Sequence, residues 1–224
     1  MIPKSIHYCW FGGAPLPPIV ERSIASWNKH LDDYTITLWD ESNSDLGVPV
    51  VADALKNKMW AFASDYIRLK SLYDHGGIYL DTDMEVIRSL DSLLDCDCFV
   101  GEESDGIISG GIIGAKKHSN YIKSCLDVME AEFEAGRKYT TIPVLMTKAL
   151  NGIDAEPDRP RIYSSEYFYP FNPYDRDQPV KQLMYSDITT NTYAIHHWYK
   201  SWKLTPLMKA RKALRVLINK EWIK

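Results

Sequence analysis

The sequence predicts a single α/β domain, and three observations carry that prediction. Strand-like and helix-like segments alternate between residues 5 and 150, the pattern of a sheet covered by helices. The 224 residues are enough for one sizeable domain and short for two. The residues richest in chemistry, Trp10, Asp81 with Asp83, and His196 with His197, fall at or just past the ends of predicted strands. Open α/β sheets bind ligands beyond the carboxyl ends of their strands, so these positions already outline a site.

Ser5 to Phe11 reads as the first strand, closed by Gly12-Gly13 and the proline-rich stretch Pro15 to Pro18. Ile19 to Lys29 has helical spacing, and Tyr34 to Trp39 alternates as a second strand. Residues 40 to 50 are turn-rich; Val51 to Lys58 and Met59 to Asp74 read as helices. In the second of these, Phe62, Tyr66, Leu69, Leu72 and Tyr73 form the apolar stripe, and Gly76-Gly77 ends it. A strand, Ile78 to Asp81, follows at once, and Met84 to Ile87 is expected to continue it. Cys98 to Glu102 and Ile107 to Ala115 are further strands; Tyr121 to Ala135 and Thr141 to Leu150 are helices. Gly152 to Asp187 is loop-rich, and Thr192 to His197 is a late strand delivering two histidines.

Asp81-Thr82-Asp83 is the most informative triplet. Residues two apart on an extended segment share a side, so both carboxylates are expected to converge at the strand end. Two unneutralised carboxylates repel, and oxygen ligands favour a hard cation such as magnesium or manganese. Asp65 and Arg68 lie three apart on the preceding helix and share a face, as a surface ion pair or as a pair aimed at a polar ligand.

Ala63-Ser64-Asp65-Tyr66-x-Arg68, with Leu72-Tyr73-x-x-Gly76-Gly77-x-Tyr79-x-Asp81-x-Asp83, resembles the donor site of the DXD-sugar-binding, Och1-like glycosyltransferases. The catalytic domains of the clostridial glucosylating toxins are similar. Ile2-Pro3-Lys4-x-Ile6-His7-x-x-Trp10-Phe11-Gly12-Gly13 and His196-His197-Trp198-x-x-Ser201-Trp202 match that family's other two landmarks, in the expected order. The resemblance implies a GT-A type, Rossmann-like fold with a mixed central sheet flanked by helices, spanning residues 1–203. It implies a metal-dependent, retaining transfer from a nucleotide-diphosphate sugar, UDP before GDP, to a glycan or lipid-linked acceptor in bacterial surface polysaccharide synthesis. By the same resemblance Asp81, Asp83 and His196 (or His197 in its place) hold Mn2+ or Mg2+, and Trp10 stacks on the base. Ser64, Asp65, Arg68 and Tyr79 reach ribose, sugar or phosphate, and Ser201 and Trp202 close over the diphosphate; Asp81, Asp83, Arg68 and Trp202 carry the catalytic effect. The chain departs from the family pattern at Ser109-Gly110-Gly111-Ile112-Ile113-Gly114 and at Thr141-Ile142-Pro143, stretches that border donor sugar or acceptor in relatives.

A haloacid-dehalogenase-like phosphatase also ends a strand with Asp-x-Asp, but wants Thr or Val where Glu85 stands. A non-catalytic nucleotide-sugar-binding module is the third reading, and it has little use for a diphosphate clamp. A net charge of -4 argues against nucleic acid as partner. Four cysteines without metal or disulfide spacing, and an N-terminus read as lacking a signal peptide, predict a reducing, cytoplasmic setting. Residues 204–224 are basic, with Leu207, Ala210, Leu214, Leu217, Ile218 and Trp222 at helical spacing. That tail is expected either to pack on the domain or to dock as an amphipathic helix on an anionic membrane's inner face.

Overall fold

In the computed structural model, the described residues are 1–153, 159–175 and 180–199. Ser201, Trp202 and the basic tail of residues 204–224 lie outside them. In chain order the elements are β1 (Ser5–Cys9), α1 (Pro18–His30), β2 (Thr35–Trp39), α2 (Pro49–Lys56), α3 (Trp60–His75), β3 (Gly77–Leu80) and β4 (Met84–Val86). They continue as β5 (Cys98–Ser104), β6 (Ile107–Ala115), α4 (Asn120–Glu134), α5 (Ile142–Asn151), β7 (Arg161–Tyr163) and β8 (Ala194–His196).

The main sheet has the order β2-β1-β3-β6-β5-β7. β1 pairs parallel with β2 and β3, β6 is antiparallel to both β3 and β5, and β5 is parallel to β7. One strand alone, β6, is therefore reversed in a sheet otherwise parallel, because Asp105-Gly106 folds β5 back onto β6 as a tight hairpin with Gly106 at φ +70°. Strand alternation divides the core into two layers. Tyr79, Val100 and Ile113 face α2–α5, while Ile78, Leu80, Phe99 and Ile112 face Trp27, Leu90, Phe168 and Tyr169. Strands covered on both faces read as continuous apolar runs, which is why β3 and β6 are legible in the sequence.

The Gly76-Gly77 junction aims α3 and β3 together. Gly76 has φ +69° and Gly77 φ +111°. A side chain at Gly76 would meet the Lys117 amide at 2.7 Å, and one at Gly77 the Ser5 carbonyl at 2.5 Å. Only glycine satisfies both the conformation and the space.

Two expectations are corrected. Met84–Val86 does not continue β3: the Met84 amide donates to the Asp81 carbonyl at 2.9 Å, closing a turn, and β4 leaves to pair with β8 in a separate two-stranded sheet. A short strand, β7, also forms inside the stretch read as loop, by pairing with β5. Three residues are too few to announce themselves by alternation.

Candidate nucleotide-sugar site

The site is assembled by that turn. The Asp81 amide donates to the Gly111 carbonyl at 2.8 Å, so Asp81 stands just past β3 and is tied to β6. The chain then turns through Thr82 and Asp83 into β4. The β4–β8 register sets Met84 opposite His196, which carries His196 to Asp83 from more than a hundred residues away. Its Nε2 lies 3.2 Å from Asp83 Oδ1. The other Asp83 oxygen accepts from the Tyr199 amide at 2.7 Å, and the Asp83 carbonyl from the His197 amide at 3.0 Å. Asp81, Asp83 and His196 can each offer a ligand atom within 4.8 Å of the others. The turn, rather than simple strand alternation, makes the two carboxylates converge.

Strand geometry separates the two histidines. Adjacent residues on a strand face opposite ways. His196 turns inward, against Tyr169 (ring centroids 5.6 Å apart) and Trp198 (4.3 Å), while His197 bonds Glu85 at 2.7 Å. Among the described residues, His196 Nδ1 is buried without a partner.

Arg68 ties the acidic group to α3. Its Nη2 pairs with Asp65 Oδ1 at 2.7 Å, and its Nη1 with Asp81 Oδ1 at 3.1 Å and with the Gly110 carbonyl at 2.7 Å. The guanidinium carbon lies 4.5 Å from the centroid of the Tyr79 ring, and the Tyr79 hydroxyl donates to Asp81 at 3.0 Å. Asp65 and Arg68 are both buried, so the pair is no solvated surface bridge.

The electrostatics follow from crowding. Burial, reinforced by Asp83, pushes the Asp81 carboxyl upward against the pull of Arg68. Burial pushes Asp83 upward too, but His196 and the Tyr199 amide outweigh it and hold Asp83 low. Burial disfavours the His196 cation, yet Asp83 and Asp81 raise it overall. Burial moves Asp65 up to about 6 in spite of Arg68. Acid exceeds base here: three carboxylates, buried or largely so, share one guanidinium and one imidazole. The oxygen-rich donor set with one imidazole suits manganese or magnesium, and a divalent cation is the charge the group lacks.

Trp10 is half-buried just past β1, with its indole N–H donating to the Ala14 carbonyl at 2.6 Å. What it can present to a ligand is therefore ring face. The Ser64 hydroxyl bonds its own helix, at the Trp60 carbonyl 3.1 Å away, and is not directed at the acidic group. Sequence reasoning passes over Glu103, at the end of β5, which is electrostatically coupled to His196 and Asp81. An acid beside an Asp-Gly turn looks like a solvated hairpin end, so no local signal singles it out.

The architecture is that of the GT-A fold. The chain superposes on the PaToxG glycosyltransferase with a TM-score of 0.57 at 21% identity, over 67% of this chain and 68% of that one. It superposes on the galactosyltransferase LgtC, solved with donor and acceptor sugar analogues, with a TM-score of 0.50 at 16% identity, over 94% and 93%. Residues 17–100, which contain α3, β3 and the Asp81–Asp83 turn, match the family described as "Glycosyltransferase sugar-binding region containing DXD motif". In that region the chain is similar to the DXD-type glycosyltransferases. Lactosylceramide 4-alpha-galactosyltransferase of Mus musculus is 27% identical over 171 residues, 67% of this chain and 44% of that protein. Inositol phosphoceramide mannosyltransferase 3 of Schizosaccharomyces pombe is 26% identical over 221 residues, 88% of this chain and 60% of that protein. The chain thus spans about half the length of these curated relatives.

Proposed function

We propose that this protein is a metal-dependent, retaining glycosyltransferase that moves a sugar from a nucleotide diphosphate, with UDP favoured over GDP, to a glycan or lipid-linked acceptor. The convergence of Asp81, Asp83 and His196 at the end of β3 carries this reading. Transfer breaks the anomeric carbon–oxygen bond and leaves a diphosphate with additional negative charge, and stabilising that charge is the main service a protein can give. Asp81, Asp83 and His196 would hold Mn2+ or Mg2+, which when bound supplies Lewis acidity at the diphosphate. Arg68 acts mainly as a positioning residue, because its terminal nitrogens are engaged by Asp65, Asp81 and Gly110. Trp10 offers its ring face to the base.

On the retaining reading, the acceptor hydroxyl attacks from the face the phosphate leaves and passes its proton to a departing phosphate oxygen, so no protein base is required. One relative is named for an α-linked product and two for ceramide acceptors, which supports retention and a glycolipid-like acceptor. Free thiols at Cys9, Cys96, Cys98 and Cys125 support a reducing compartment as its working place, at the inner membrane face if the acceptor is lipid-linked.

The test is a panel of UDP- and GDP-sugars with Mn2+, scored for donor hydrolysis and transfer. One nucleotide class should be consumed, and chelation should abolish turnover. Consumption unaffected by chelation would sink metal dependence; no consumption of any donor would sink the transferase reading.

A further inference from the structure

Glu103 occupies a built irregularity of the sheet. The β5–β6 pairing sets Glu102 opposite Ile108 and Ser104 opposite Ile107, which leaves Glu103 between them without a ladder partner. This is a β-bulge, a device that re-aims one side chain and recurs beside active sites. Asn172 secures it: its Nδ2 donates to the Glu103 carbonyl at 3.0 Å, and its own Oδ1 accepts from the Tyr174 amide at 2.9 Å. The Glu103 side chain is partly buried, at the same carboxyl edge of the sheet as Asp81, and interacts electrostatically with His196, Asp81 and Tyr169. The bulge thus directs an acid toward the site rather than into solvent.

The other acids there are committed. Asp65 and Asp81 pair with Arg68, and Asp83 with His196. Glu103 is outside the three-residue group able to share a cation, and has no cationic partner within ion-pair distance among the described residues. A carboxylate in that position repels phosphate and accepts hydrogen bonds from neutral hydroxyls. Resting on the nucleotide-sugar reading of the site, we propose that Glu103 accepts a hydrogen bond from a hydroxyl of the sugar being transferred, and so selects which sugar, rather than which nucleotide, is used.

The competing role is a structural brace between β5 and Ser109, and a deoxy-sugar series separates the two. A site built to bond a hydroxyl rejects the analogue lacking it strongly. With the best donor from the panel and its mono-deoxy analogues, the unmodified enzyme should lose about 100-fold or more in kcat/KM at one ring position. Glu103→Ala should lose a similar factor on the parent donor and be nearly indifferent to the hydroxyl at that position. Glu103→Gln, which keeps one acceptor oxygen, should fall between. Affinity for the nucleoside diphosphate with Mn2+ should stay within about threefold in both variants, since a sugar contact is absent from that complex. Unchanged discrimination in Glu103→Ala overturns the proposal. So does diphosphate affinity falling in step with kcat/KM, or failure of the isosteric Gln variant to fold. If the unmodified protein turns over no nucleotide sugar, the transferase reading itself fails, whatever the variants do.

Discussion

Two clusters of charge in this protein share ingredients and differ in balance. At the ends of α4 and α5, Glu132 accepts from Arg137 at 2.6 and 2.9 Å and from Lys148 at 2.6 Å. One acid meets two cations whose side chains are largely exposed, and those bonds draw Glu132 down to about 2. At the end of β3, Asp65, Asp81 and Asp83 have as cationic partners among the described residues only Arg68 and His196, largely away from water, and Asp65 and Asp81 are pushed up instead. The first arrangement is self-sufficient. The second keeps an unfilled demand for positive charge, which a protein tolerates where a ligand meets it. Number of carboxylates therefore does not mark the site; a buried surplus of them does.

Breaking the second cluster at its centre should have the largest effect. On the proposed function Asp83→Ala removes a cation ligand while relieving repulsion, so donor turnover should fall by about 10^3-fold or more with little change in melting temperature. Turnover within tenfold of the unmodified protein would detach Asp83 from the chemistry. Arg68→Met should act on stability instead, because it strands Asp65 and Asp81 without their guanidinium. Breaking a buried pair costs about 3–5 kcal/mol, and a domain of this size should melt on the order of 10 °C lower. Arg68→Lys restores charge but not the fork that reaches Asp65, Asp81 and Gly110, and should rescue only in part.

The first cluster gives a sharper contrast through pH. Glu132 is held below its unfolded value, so its contribution is complete above about pH 4.5 and is lost as pH falls toward about 2. Glu132→Gln should lower the melting temperature modestly at pH 6, converge on the unmodified protein near pH 2, and leave donor turnover unchanged. A constant difference across that range would show that the carboxylate charge is not what Glu132 contributes. The smallest effect is expected at His197. His197→Ala removes an exposed-side contact with Glu85 and should change turnover less than about threefold, whereas His196→Ala should approach the loss at Asp83. Equal losses at the two histidines would erase the distinction drawn from strand geometry.

Much of the candidate site is legible in the sequence because its determinants are local. The apolar stripe of α3, the glycine pair, the run into β3 and the triplet all lie within residues 59–83, and each acts on its immediate neighbours. The i,i+3 spacing of Asp65 and Arg68 likewise fixes a contact that a single helix turn can make. The picture of Asp81 and Asp83 on one extended segment is less complete, since the turn closing at Met84 decides where both point. Ser64 matches the family pattern, yet its hydroxyl goes to its own helix, because a motif match does not fix a rotamer.

By itself the sequence determined an α/β chain, the helix–Gly-Gly–strand unit and the acidic triplet, because periodicity and backbone permissiveness are properties of short stretches. Tertiary structure alone decided that β4 leaves the main sheet, that β8 brings the His196 rather than the His197 imidazole to the Asp83 carboxylate, and that a bulge falls at Glu103 on the same edge. Those outcomes depend on pairing register between strands distant in sequence, and register is set by how the packed layers fit, which no local pattern records.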